Sequence, residues 1–195
     1  HREEGLGPEI AQHVRVLPPI ELRAERDLGA DRLAVAPFGI AAVDGDGIYR
    51  STDHGRTWAA SNDGLLRDSA FYWCNIGADI DRSVECMATD ARGIVYVAKG
   101  WGDFYRSTND GKRWERLASP AMEVSAILAP QPGRLFAATK SGVFRSQDGG
   151  RSWKSFSTGL TSADIVSIAG DAQGRLYALT RGGRVFVTVN AVLKK

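Results

Sequence analysis

The sequence predicts an all-β protein, a β-propeller of about four four-stranded blades per chain. Three observations carry this reading. An eight-residue phrase ending in tryptophan occurs three times, as "STDHGRTW" (51–58), "STNDGKRW" (107–114) and "SQDGGRSW" (146–153). Short alternating apolar segments precede each phrase, and a fourth follows the last: "IAAV" (40–43), "IVYV" (94–97), "LFAA" (135–138) and "LYAL" (176–179). Hardly any stretch has helical spacing; "PEIAQHV" is the one mild candidate. A fixed period of tens of residues marks a repeat architecture, and four short strands per period is the content of a propeller blade.

The tryptophan intervals are 114 − 58 = 56 and 153 − 114 = 39. The apolar segments give 94 − 40 = 54, 135 − 94 = 41 and 176 − 135 = 41. The period is therefore read as 41, with an insertion of 54 − 41 = 13 between the first two units. Within a unit, strand A is exemplified by "VSAILAP", strand B by "RLFAAT", strand C by "GVFRS" and strand D by "RSWKSFS". This divides the chain into an N-terminal extension (1–19), a closing strand (20–31), blade 1 (32–61), an insertion loop (62–83), blade 2 (84–122), blade 3 (123–163) and blade 4 (164–195).

The last unit is incomplete. Thr188 and Asn190 align with the Ser and Asp of the phrase, but the tryptophan position, 153 + 42 = 195, is Lys195. Strand D is thus missing there. "IELRAE" (20–25) alternates Ile20, Leu22 and Ala24 with Glu21, Arg23 and Glu25, as a strand with one buried face should. It is expected to complete the last blade and cover an open edge. Closure within one chain gives a four-bladed ring; closure between two chains gives an eight-bladed homodimer.

Composition narrows the function. At 43% apolar and 25% charged residues, the 195-residue chain is ordinary for a globular protein. A net charge of +2 gives no electrostatic reason to expect nucleic acid. No run approaches the roughly 18 apolar residues of a spanning helix, so membrane insertion is not expected. His1, His13 and His54 are scattered and the cysteines number 2, so neither a metal site nor a cofactor is expected. Cys74 and Cys86 lie close in the chain, on either side of a short loop-like segment. A disulfide between them fits a secreted or periplasmic protein, and two buried thiols is the alternative. The chain opens on His1 rather than methionine, read as the trace of a removed tag, signal peptide or larger parent.

The phrase Ser-x-Asp-x-Gly-x-Thr-Trp resembles the Asp-box, or BNR repeat, of sialidase-like propellers, sortilin-type receptors, xyloglucanases and photosystem II assembly factors. Ser51, Asp53, Gly55, Thr57 and Trp58 match it in full. Ser146, Asp148, Gly150, Ser152 and Trp153 match with one conservative change. The second box keeps Ser107, Gly111 and Trp114 but has Asn109 and Arg113 at the Asp and Thr positions. The chemistry suits a hairpin better than a catalyst. An Asp or Asn oxygen accepts backbone N–H groups of its own turn, glycine supplies positive φ, and tryptophan buries its ring while its N–H seeks an acceptor. The resemblance implies that the boxes lie on the face opposite a ligand site, so no catalytic residue is assigned among Asp53, Asn109 and Asp148.

The ligand face would then carry the B–C turns "DGDG" (44–47), "KGWGD" (99–103), "KSG" (140–142) and "RGG" (181–183), together with the insertion that contains "FYWCN". Trp101, Trp73 and Tyr72 are the candidate aromatic platform, ringed by Asp44, Asp46, Lys99, Asp103, Lys140 and Arg181. Such a face suits a carbohydrate or protein ligand. The competing reading packs Phe71, Tyr72 and Trp73 against blade edges and uses Trp101 as a plug of the central channel. A sialidase-like enzyme is disfavoured because no Arg-Ile-Pro occurs, and Arg50, Arg106 and Arg145 sit beside the boxes. A glycosidase could pair Asp44 or Asp46 with Asp103. The preferred reading is a non-catalytic, extracytoplasmic binding or scaffold propeller; the runner-up is a glycoside hydrolase or a fragment of one.

Overall fold

Period-two alternation gives each segment one face to bury, and short turns rich in Gly and Asp return it antiparallel. The computed structural model of the chain describes residues 30–34, 39–43, 47–65, 84–161 and 163–193. Blade 1 is β1 (Ala30–Ala34), β2 (Ile40–Val43), β3 (Gly47–Arg50) and β4 (Ala59–Ala60), paired in chain order. Blade 2 is β5 (Val84–Thr89), β6 (Val95–Lys99), β7 (Asp103–Ser107) and β8 (Glu115–Leu117). Blade 3 is β9 (Val124–Gln131), β10 (Arg134–Thr139), β11 (Gly142–Ser146) and β12 (Lys154–Ser155). Blade 4 has three described strands, β13 (Ile165–Gly170), β14 (Leu176–Thr180) and β15 (Val185–Val187).

The innermost strands β1, β5, β9 and β13 pack side by side in that order, the arrangement of blades around a propeller axis. Among the described residues, β13 and β1 do not pack on each other as successive inner strands do, so the four sheets form an open arc. The core lies between blades. Ile48 of blade 1 meets Val95, Val97, Tyr105 and Trp114 of blade 2. Tyr96, Ala98 and Phe104 on the other face of blade 2 meet Leu135 and Ala137 of blade 3. Phe136, Ala138 and Val143 in turn meet Leu176 and Ala178 of blade 4. The middle strands of blades 2 and 3 thus bury both faces, odd positions toward one neighbour and even positions toward the other.

Strand pairing corrects the phase of the first unit. Ile40 opposes Arg50, just as Tyr96 opposes Arg106, Phe136 opposes Arg145 and Tyr177 opposes Val187. The interval between these positions in the first two blades is 96 − 40 = 56, the spacing of the first two tryptophans rather than that of the apolar runs. The insertion is accordingly two positions longer than the apolar runs imply. The reason is physical. Gly39 stands where blade 2 has Val95, so the apolar run starts late in blade 1, whereas the turn fixes the register of the hairpin.

In blade 4, Thr188 accepts the N–H of Leu176 on its hydroxyl at 3.0 Å, in the place that Ser146 has opposite Leu135. The backbone N–H groups of Val192 and Leu193 then donate to Gly174 O at 2.7 and 2.9 Å, and Leu193 is buried between blades 3 and 4. The expected closing strand at 20–25 and Lys195 lie outside the described residues. None of the described helices is long and apolar enough to cross a membrane.

Candidate functional site

The C–D turns build one end of the arc. In the first box, the Ser51 hydroxyl donates to Asp53 Oδ1 at 2.9 Å and accepts the Gly55 N–H at 2.8 Å. Asp53 also accepts the Thr57 N–H at 2.8 Å and the Thr57 hydroxyl at 2.6 Å. The third box repeats this: Ser146 to Asp148 at 2.8 Å, Gly150 N–H to Ser146 at 2.9 Å, and Ser152 N–H and hydroxyl to Asp148 at 2.9 and 2.6 Å. The second uses Asn109 Oδ1 to accept the Ser107 hydroxyl at 2.9 Å and the Arg113 N–H at 3.0 Å. Two successive residues take the left-handed conformation, His54 and Gly55 at φ 60° and 89°, Asp110 and Gly111 at 60° and 75°, Gly149 and Gly150 at 72° and 87°. The glycine takes the larger angle in each pair, where a side chain is most strained.

The carboxylates are tuned for this role. The Thr57 hydroxyl, seconded by its N–H, lowers the pKa of Asp53 to about 2, and the Ser152 hydroxyl does the same for Asp148. An acid held ionised in a turn is a poor proton donor at neutral pH.

The tryptophans tie blades together. Trp114 donates its indole N–H to Ser61 O of blade 1 at 2.8 Å, and Trp153 donates to Ala118 O at the end of blade 2 at 2.9 Å. Trp58 donates to Gly55 O of its own turn at 3.0 Å. A second Asp turn recurs at this end between strands A and B. Asp90 accepts the N–H groups of Arg92 and Ile94 at 2.9 and 3.1 Å, and Asp171 accepts that of Arg175 at 2.8 Å. The spacing 171 − 90 = 81, close to two periods, was the signal for it.

The B–C turns lie at the opposite end, and a cavity of about 300 Å³ opens there between the starts of β5, β9 and β13. Buried Val124 and Ile165 form its floor. Around it stand Lys140, ion-paired to Glu123, and Arg181, whose Nε donates to Asp164 at 2.8 Å. The two pairs are one period apart, 164 − 123 = 41 and 181 − 140 = 41: an acid just before strand A and a base just after strand B. Glu85 lines the same cavity, and the Ser125 hydroxyl donates to Ile165 O at 2.6 Å, linking two inner strands. Glu123 adopts φ 56°, a conformation a side chain adopts at some cost.

Of the sequence candidates, the structure brings Lys140 and Arg181 to this cavity. The backbone of Trp101 belongs to a 3-10 turn (Gly100–Gly102) between β6 and β7, whose Gly100 lines the cavity. Lys99 and Asp103 are buried and opposite one another in register, and Asp103 accepts Arg116 of β8 at 2.5 Å. Asp103 is therefore committed within its blade. Asp44, Asp46, Tyr72 and Trp73 lie outside the described residues, as does Cys74; Cys86 is buried with Sγ 3.5 Å from Val124 O. Glu123, Asp164, Glu85 and Ser125 were missed. Their signal was the start of each inner strand, "SVE", "EVS" and "DIV", centred on Val84, Val124 and Ile165 at close to one period. Among the described residues no group of His, Cys, Asp and Glu could hold a metal ion.

The BNR/Asp-box repeat family matches residues 49–60, the first box with the end of strand C before it. The chain is a β-propeller that carries a BNR/Asp-box repeat at its first C–D turn. Its likeness to solved structures extends over most of this Asp-box propeller. A structure of YCF48 bound to D1 peptide matches with a TM-score of 0.61 at 16% identity, over 83% of this chain and 51% of that one. The GH74 xyloglucanase of Xanthomonas campestris also gives 0.61, at 20% identity, over 83% of this chain and 29% of that one. A probable oligoxyloglucan-reducing end-specific xyloglucanase of Neosartorya fischeri is 27% identical over 114 residues, 51% of this chain and 14% of the relative. The Asp-box propeller described here thus spans a small part of that relative and about half of YCF48.

Proposed function

We propose that this chain is a non-catalytic binding or scaffold propeller that takes a polar chain, a peptide segment or an oligosaccharide, on the face opposite its boxes. The observation that carries the reading is the cavity ringed by Lys140–Glu123 and Arg181–Asp164 over an apolar floor. Exposed ion pairs contribute little stability. Two of them repeated at one period around a concave, partly apolar surface are better suited to offering donors and acceptors to a ligand. Trp101 and, from outside the described residues, Tyr72, Trp73, Asp44 and Asp46 extend the proposed site.

The similarity to xyloglucanases favours a second reading, a glycoside hydrolase or a part of one. Asp103 supports it poorly because Arg116 already holds its carboxylate. A glycan array, a peptide array and a general glycosidase screen separate the readings. The binding reading expects a bound class with no turnover, and an affinity reduced roughly tenfold or more by Lys140→Ala with Arg181→Ala. Hydrolysis of any glycan, or a ligand indifferent to that double substitution, overturns it. The same reading places the chain outside the cytoplasm. Cys86 is a buried thiol, outside any disulfide, that donates to Val124 O, which corrects the expected Cys74–Cys86 disulfide; thiol counting on denatured, non-reduced protein checks this, with two reactive thiols expected.

A further inference from the structure

Within the two ion pairs of the cavity, donors outnumber acceptors. An arginine carries five N–H donors and a lysine three, whereas a carboxylate brings two oxygens. Arg181 spends its Nε on Asp164 Oδ2 at 2.8 Å, and Lys140 meets Glu123 through one carboxylate oxygen. Among the described residues, neither Nη group of Arg181 has an acceptor. Its side chain is 67% exposed against 35% for Asp164, so the base is the more open member of the pair. The Arg181 backbone N–H also donates to Asp164 O at 2.9 Å. Asp164 thus fixes the arginine through backbone and side chain and leaves the paired Nη groups available. Two parallel N–H groups of this kind take a carboxylate in bidentate fashion. Glu85, the other carboxylate of the lining, already has a partner.

The apolar part of the cavity is aliphatic among the described residues. Val124 and Ile165 floor it, and Met122, 61% exposed, adjoins Glu123 at the rim. A Cβ on Gly102 would lie 3.2 Å from Met122 Cα, so this segment rests on the turn whose Gly100 lines the cavity. Branched and linear side chains pack on such a surface, and methionine adapts to them; a sugar ring favours the flat face of an aromatic. Glu123 holds its φ of 56° between Met122 and Val124, and backbone strain gathers at ligand clamps.

We infer that the ligand of this cavity is an acidic peptide: a carboxylate takes the two Nη groups of Arg181, and a neighbouring aliphatic side chain rests on Val124 and Ile165. The inference rests on the reading of the cavity as the binding site and adds the class of its ligand.

Fluorescence anisotropy on the full chain tests it, with a labelled peptide of alternating glutamate and leucine and its glutamine counterpart. The glutamate peptide is expected to bind, and the glutamine peptide to bind roughly tenfold or more weakly. Arg181→Lys keeps the charge but not the fork, and should weaken the glutamate peptide roughly tenfold or more. Arg151→Lys, at an exposed arginine of the opposite end, should leave binding unchanged. Equal affinity for the two peptides overturns the inference, and so does an Arg181→Lys variant that binds as the wild type does. An oligogalacturonate or a neutral glycan that binds where the glutamate peptide does not keeps the cavity as a binding site but overturns the peptide class. Failure of every peptide and glycan to bind overturns the cavity reading along with it.

Discussion

Trp58 and Trp114 close boxes of equal length and nearly equal internal bonding, yet they hold different amounts of the fold. The first box matches its family pattern fully and has two bonds more inside its eight residues, from the Thr57 hydroxyl to Asp53 and from the Trp58 indole N–H to Gly55 O. Its tryptophan is half-buried and bonded to its own Gly55. The second box has lost both the Asp and the Thr. Its Trp114 is 3% exposed in the core between blades 1 and 2, and the ring N–H goes to Ser61 O while the backbone N–H goes to Asp63 O at 2.8 Å. Ser61 returns its hydroxyl to Gly111 O. The turn therefore forms in the consensus and the degenerate box alike, and the neighbouring blade sets what it is worth to the fold.

The comparison breaks most directly at the tryptophans. Trp114→Ala removes a fully enclosed aromatic and leaves Ser61 O without its donor, so it should cost about 3–5 kcal/mol. Trp58→Ala removes a half-exposed ring bonded locally and should cost about 1–2 kcal/mol. Urea denaturation of the two variants measures both costs. Equal costs would show that the neighbouring blade adds nothing.

A smaller effect sharpens the other half of the comparison, that the turn itself is the same in both boxes. The serine is the buried member: Ser51, Ser107 and Ser146 are at most 1% exposed and accept the glycine N–H in all three boxes. Ser51→Ala and Ser107→Ala each strand that N–H, and each should cost about 1–3 kcal/mol, alike for the consensus and the degenerate box. Thermal unfolding of the two variants checks it; a clearly cheaper Ser107→Ala would mean that Asn109 weakens the turn after all.

Most of the fold could be read in the sequence because its information is local. A turn that needs Asp, Gly and Trp at fixed offsets states where strands C and D meet, and alternation states which faces are buried. The phase of β2 was misread because Gly39 interrupts the apolar run, and only pairing across the hairpin reveals its place. The candidate site was half legible. Lys140 and Arg181 were found because B–C turns are recognisable as Gly-rich breaks. Glu123 and Asp164 were not, because each looks like an ordinary solvated residue until pairing of strands A and B sets it beside a base at the same end of its own sheet. Asp103 was misjudged for a related reason: its partner Arg116 lies across the hairpin, on a strand whose register the sequence leaves open.

The smallest effect separates the boxes by chemistry. Asp53 and Asp148 have folded pKa values of about 2 against an ordinary 3.8, while Asn109 cannot titrate. A depressed acid pKa stabilises the fold above the ordinary value, and that stability is lost as pH falls through the ordinary and then the folded value. Unfolding midpoints should therefore hold steady down to about pH 4 and drop between 4 and 2. Asp53→Asn with Asp148→Asn should flatten that drop, since Asn109 shows that an amide oxygen can take the two bonds it needs, from the Ser107 hydroxyl and the Arg113 N–H. Part of the slope should persist through Asp171. Burial pushes its carboxyl up, but the Arg175 N–H and guanidinium and the Tyr177 hydroxyl outweigh burial and hold it at about 2 as well. Asp148 is exposed and Asp53 and Asp171 are half-buried with solvent beside them, so water and salt screen much of the effect and it should be modest. An undiminished drop in the double variant would place the acid-sensitive groups elsewhere. A drop abolished outright would mean that Asp171 contributes nothing and that the boxes alone carry the acid response.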